Sequence, residues 1–148
     1  MHEIEGDISY SPVKLKLAGE LITVKFDEKN NIFNREFVDQ ETLLSLHRFA
    51  WLSEIESTID PLWVKKIWME WRKAHGVITN HLSWHPYTVA ERAINIINFS
   101  KNYGVPGPKD ETISLLASHA KHISQNLEYF GENNTSNHLA NNGRGLFI

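Results

Sequence analysis

Apolar and polar residues alternate along the first part of the chain, and then the period changes. Val13, Leu15 and Leu17 are separated by Lys14 and Lys16, the two-residue repeat of a strand with one wet face. Ala18-Gly19-Glu20 offers a turn, Leu21 to Phe26 a second extended run, and Asp27-Glu28-Lys29-Asn30-Asn31 another turn. One β-hairpin plus extended chain is expected over residues 1–37.

From Asp39 onward the spacing is helical. Asp39 can cap a helix reaching about Leu52, with Leu43, Leu44, Leu46, Ala50 and Trp51 on its apolar side. Asp60-Pro61 is a cap followed by proline at the first helical position, opening a helix that Gly76 stops; its stripe is Val64, Ile67, Trp68 and Trp71. After the loop Gly76 to His85, a third helix begins either at Pro86 or through a Thr88-Val89-Ala90-Glu91 capping box. It carries Val89, Ala93, Ile96 and Ile97 as far as Tyr103-Gly104. Val105-Pro106-Gly107-Pro108 breaks the pattern, and Asp110-Glu111 places negative charge on the first turn of a fourth helix. Ile113, Leu116, Ala120, Ile123, Leu127 and Phe130 form its expected stripe. A polar loop from Gly131 leads to a fifth helix near Ser136, which has no stop signal before the apolar end Leu146-Phe147-Ile148. The pattern predicts an all-α fold of antiparallel helical hairpins over residues 38–148, preceded by the short hairpin segment. The unpartnered end implies a packing partner beyond residue 148, or self-association there.

Composition narrows the function classes. A chain of 148 residues, 41% hydrophobic and 22% charged, can bury one real core. The formal net charge of −3, with both signs interspersed, lacks the basic stripe of a nucleic-acid binder. No apolar run reaches the roughly 18 residues of a membrane span, and the start shows no export signal. No nucleic-acid or membrane partner is expected, and the compartment stays open. With no cysteine, disulfides, thiolate metal sites and cysteine nucleophiles are ruled out. Five tryptophans, at 51, 63, 68, 71 and 84, fit either a large core or a sugar-stacking cleft.

Eight histidines raise a metal reading. His81 and His85 are four apart but flank Trp84 and precede Pro86. His119 and His122 are three apart without the acidic residue of an H-E-x-x-H motif. Polar-face or half-buried imidazoles are the favoured reading, and neither metal nor cofactor is expected. There is no G-x-S-x-G, P-loop or G-x-G-x-x-G. Two stretches invite more. At Trp84-His85-Pro86-Tyr87, aromatics stand at a helix entrance with Arg92 one turn inside. Asn137-His138 follows the loop after Asn126-Leu127-Glu128-Tyr129. On spacing alone, an Arg92 paired with a neighbour or helix end, and an amide-rich capped turn, are the better readings.

Taken in order, these segments carry a resemblance. Leu43-Leu44-Ser45-Leu46-His47-Arg48-Phe49-Ala50-Trp51-Leu52, Trp84 to Asn95, Asn126 to Tyr129, and Asn137-His138-Leu139 resemble the N-terminal helical domain of heparinase II/III-like polysaccharide lyases over roughly residues 36–148. The resemblance implies part of an (α/α) toroid whose helix ends line a cleft for an acidic, uronate-containing polysaccharide cleaved by β-elimination. It assigns Asn137 as the amide that hydrogen-bonds the uronate carboxylate and His138 as the adjacent base. Trp84 and Tyr87 become sugar-stacking candidates, Arg92 and Glu128 scaffold, cleft-shaping or substrate-binding ones, and Asn141 a substrate-binding one. Asn141 stands where many relatives carry a glutamate. The family's catalytic tyrosine has no counterpart in this chain, so little catalysis is expected from it alone. The alternative is a helical module that binds carbohydrate or protein without catalysis.

Overall fold

In the computed structural model, residues 2–6, 12–26 and 31–133 are described, with side chains as far as Asn126. The alternating segment forms the hairpin. Strands β1 (Val13–Leu17) and β2 (Glu20–Val24) pair antiparallel, with Leu15 opposite Ile22 and Val13 opposite Val24. The register sends Leu15, Leu17, Ile22 and Val24 inward, while Lys14, Lys16 and Thr23 face water, as a period of two requires. Ala18 and Gly19 both take positive φ, 42° and 93°, and glycine adopts the second without penalty.

Among the described residues five α-helices follow: α1 (Gln40–Arg48), α2 (Leu52–Ile55), α3 (Pro61–His75), α4 (Pro86–Tyr103) and α5 (Lys109–Asn133). The fold is thus mostly helical with one small antiparallel sheet. Asp39 caps α1 and Asp60 caps α3, each carboxylate accepting the N–H two residues on. Alanine at Asp60 leaves the Leu62 N–H without its 2.9 Å partner and is expected to cost about 1 kcal/mol, measured by urea denaturation. Of the two starts considered for α4, the structure uses Pro86: His85 is the cap, and its Nδ1 accepts the Tyr87 N–H at 3.3 Å.

Three expectations are corrected. The first helix ends at Arg48 rather than near Leu52, because Phe49 turns left-handed (φ 56°) to bury its ring, and its N–H closes on the Leu46 carbonyl. Leu52 then opens the separate helix α2. The buried line of α5 is Thr112, Leu115, His119 and Ile123, so Ile113 is 48% exposed. Polar side chains hold two positions there because each has an interior partner: Trp68 Nε1 donates to Thr112 Oγ1 at 3.0 Å, and Arg92 reaches His119. Finally, α5 continues to Asn133, past the expected stop at Tyr129-Phe130. The fifth helix expected near Ser136 lies outside the described residues.

All five indoles are buried, each at most 2% exposed. Each such ring removes roughly 150–250 Å² from water, so the tryptophans dominate hydrophobic stabilisation. The hairpin shares their core: Leu15, Leu17, Ile22 and Val24 join one cluster with Trp51, Trp63 and Trp68. The start of the chain is tied in as well. Val105 donates to the His2 carbonyl at 2.7 Å, Ile4 to the Val105 carbonyl at 2.9 Å, and Lys109 N–H to Glu3 Oε1 at 3.2 Å. Arg92 meets His119, while Trp84 meets His122 one turn further along α5, so α4 and α5 run antiparallel. None of the described helices is long and apolar enough to cross a membrane.

Candidate functional site

Two features gather the chemistry-bearing side chains: a buried arginine with the histidines around it, and an open groove. Arg92, in the second turn of α4, is completely buried. Its Nη1 donates to the carbonyls of His47 (3.0 Å) and Ser83 (2.8 Å), and its Nε donates to His119 Nε2 (2.8 Å). The guanidinium carbon stands 4.0 Å from the Trp71 ring centroid and 5.5 Å from that of Trp84. Among the described residues no carboxylate pairs with it. Burial pushes its pKa down from the ordinary 12.5, but the guanidinium's intrinsic basicity is so high that it stays charged. Carbonyl dipoles and indole faces replace the missing water and counter-ion.

Burial first, and that cation beside them, keep the neighbouring imidazoles neutral. His119 accepts from Arg92 at Nε2, so its proton sits on Nδ1 and is donated to the Leu115 carbonyl at 2.9 Å. Burial, and then the Arg92 charge, hold its pKa well below 6.5. His47 is likewise buried. Its Nδ1 accepts the Trp71 indole N–H at 3.2 Å, and burial together with His75, Arg92 and His81 lowers its pKa to about 2. His75 and His81 close around it, at ring-centroid distances of 4.8 and 5.4 Å from His47 and 4.6 Å from each other.

The second feature is an open groove of about 410 Å³ between α1 and the entrance of α4. Gln40, Arg48, Leu82, His85, Tyr87 and Thr88 line it, with Glu41 at its edge. The Arg48 guanidinium lies 4.7 Å from the centroid of the Tyr87 ring, a cation on an aromatic face. Glu41 approaches Arg48 at 3.8 Å from an exposed position, a weak tether. Asn95 Nδ2 donates to the Arg48 carbonyl at 3.0 Å and holds the end of α1 against α4. Thr88 Oγ1 and Arg48 Nε are buried and make no hydrogen bond among the described residues, unusual for a native interior. The groove therefore brings a guanidinium and an aromatic ring together within one small space.

Of the residues singled out from sequence, Tyr87 stands half-buried on this groove. Trp84 does not offer a sugar-stacking face: it is 2% exposed, and its indole donates to the His75 carbonyl at 2.7 Å. Arg92, completely buried, takes the scaffold role of those expected for it, a brace between helices, and not the substrate-binding one. Glu128 lies on α5, outside the residues whose side chains are described. Asn137, His138 and Asn141 also lie outside the described residues. The histidine pairs weighed from spacing separate: His85 caps α4, His119 meets Arg92, and His122 Nε2 donates to the Trp84 carbonyl at 2.7 Å. Sequence reasoning passed over Arg48, Thr88, His47 and His75, and it weighed His81 only with His85. Arg48 left a signal as a cation at the end of an amphipathic helix inside the first resembling segment, whereas the grouping of His81 with His47 and His75 left none. No protein-family model, curated protein or solved structure matches this chain.

Proposed function

We propose that the chain is the N-terminal portion of a uronate-polysaccharide lyase of the heparinase II/III-like kind, its helices part of an (α/α) toroid, with the Arg48–Tyr87 groove as a subsite for an acidic sugar. The observation that carries this reading is the groove itself. A pyranose presents C–H faces that pack on Tyr87 and a carboxylate for the Arg48 guanidinium. The antiparallel pair α4 and α5, braced by Arg92, is in keeping with such a helical repeat.

In this reading the chemistry belongs to Asn137 and His138. The amide hydrogen-bonds the uronate carboxylate, which spreads the charge developing as the C5 proton leaves. The imidazole takes that proton, the C5–H electrons form the C4–C5 double bond, and the C4–O4 bond breaks with O4 collecting a proton.

Titrating the chain with uronate oligosaccharides, followed by tryptophan fluorescence and by the ultraviolet absorbance of an unsaturated uronate, tests the proposal. Saturable binding is expected for acidic but not neutral oligosaccharides, weakened about tenfold by Arg48→Ala or Tyr87→Ala, each removing roughly 1–2 kcal/mol of contact. Absence of binding overturns the subsite. Where elimination is seen, its loss in Asn137→Ala supports the catalytic assignment. Binding that never yields unsaturated product leaves a carbohydrate-binding module instead.

A further inference from the structure

Loop residues 76–85 and the ends of α1 and α3 bring three imidazoles together, with no carboxylate in the group among the described residues, an arrangement independent of the sugar subsite. We propose that His47, His75 and His81 form a three-histidine site for a borderline divalent cation, with Zn²⁺ the best match. Their nitrogen donors all lie within 4.8 Å of one another. Zinc–nitrogen bonds of about 2.0–2.1 Å in a tetrahedron require donors roughly 3.4 Å apart, so the site closes by a side-chain shift of an ångström or so. His81 supplies that shift, because it is exposed on the loop.

Each histidine contributes a separate argument. His75 Nε2 donates to the Phe33 carbonyl at 2.9 Å, which leaves the lone pair on Nδ1 and fixes the ring through a backbone acceptor, as ligating histidines usually are. His47 Nε2 is buried and has no hydrogen-bond partner among the described residues, the atom a bound ion would satisfy. An all-imidazole set without carboxylates selects zinc or its transition-metal neighbours over magnesium or calcium. No fourth ligating side chain joins the group among the described residues, so water completes the shell from the side of exposed His81.

Protons must be accounted for. The Trp71 indole donates to His47 Nδ1, so the proton of neutral His47 resides on Nε2. Coordination at Nε2 displaces it to Nδ1, and the Trp71 hydrogen bond breaks. At His81, Nδ1 accepts the Ser83 N–H at 3.0 Å; metal at Nε2 moves the proton to Nδ1, facing Ser83 Oγ at 2.9 Å. Metal loading thus carries its own reporter, the environment of the Trp71 indole.

The experiment uses the whole chain, stripped with chelator and titrated calorimetrically with Zn²⁺ and with Mg²⁺ while tryptophan emission is followed. Expected are one Zn²⁺ per chain, a change in emission that saturates at the same ratio, no response to Mg²⁺, and visible absorption of tetrahedral type when Co²⁺ is used. His81→Ala, at an exposed position, should weaken Zn²⁺ binding at least tenfold, and so should His75→Gln. His2→Ala should leave it unchanged. No stoichiometric binding, or binding indifferent to both His81→Ala and His75→Gln, overturns the proposal.

Discussion

Arg92→Ala is expected to cost about 3–5 kcal/mol of stability, the loss usual when one partner of a buried charged network is removed. The substitution strips the donor from the carbonyls of His47 and Ser83 and from His119 Nε2, all of them interior. Each orphaned acceptor costs about 1–3 kcal/mol, and the vacated volume adds a cavity between Trp71 and Trp84. Part is returned because a buried cation no longer has to be held out of water, which is why the expected total is below the plain sum. Against the 5–15 kcal/mol typical of a domain, such a loss is a large fraction. Urea denaturation reads it as a lower midpoint at unchanged slope. Arg92→Met separates the two contributions, since it fills the space without the hydrogen bonds, and should fall between wild type and alanine. A loss under about 1 kcal/mol for Arg92→Ala would mean that the guanidinium does not tie α1, α4 and α5 together.

Mild acid should have the second large effect. His119 is buried and held neutral, with a folded pKa well below its ordinary 6.5. Between those two values the unfolded chain binds a proton that the folded chain refuses, so stability rises with pH there. The contribution is complete above about 6.5 and is lost progressively as pH falls towards the folded pKa. His47, with its pKa lowered to about 2, acts in the same direction. Each such histidine contributes a slope of about 1.4 kcal/mol per pH unit. From pH 7 to 5, His119 alone removes about 2 kcal/mol and the pair about 4 kcal/mol, well before carboxylates titrate. Urea midpoints at several pH values across this range give the slope directly, and His119→Gln, which keeps an acceptor for Arg92 Nε, should reduce it by one proton. A wild-type midpoint flat between pH 7 and 5 would contradict the buried neutral imidazoles.

Parts of the fold were legible because they depend on neighbours in sequence. The hairpin follows from alternation with a glycine turn, and α3 from an Asp-Pro start and a stripe at Val64, Ile67, Trp68 and Trp71, all of which are buried. The α5 stripe was misread by one position for a specific reason. Thr112 and His119 look like surface residues until Trp68 and Arg92, far away in the chain, provide their partners. Tyr87 was legible as an aromatic at a helix entrance. Trp84 and Arg92 were legible as important but not as buried, since nothing local shows that two distant carbonyls await the guanidinium.

On its own the sequence determined the change from strand to helix near Asp39, the capped starts of α1 and α3, and the absence of thiol chemistry, because spacing, capping and composition are local properties. Tertiary structure alone decided which polar groups belong inside: Arg92 on the carbonyls of His47 and Ser83, three histidines from separate elements around one point, and Arg48 laid against Tyr87. Burying a polar group is favourable only when a partner arrives from elsewhere in the chain, and that arrival is a property of the assembled fold.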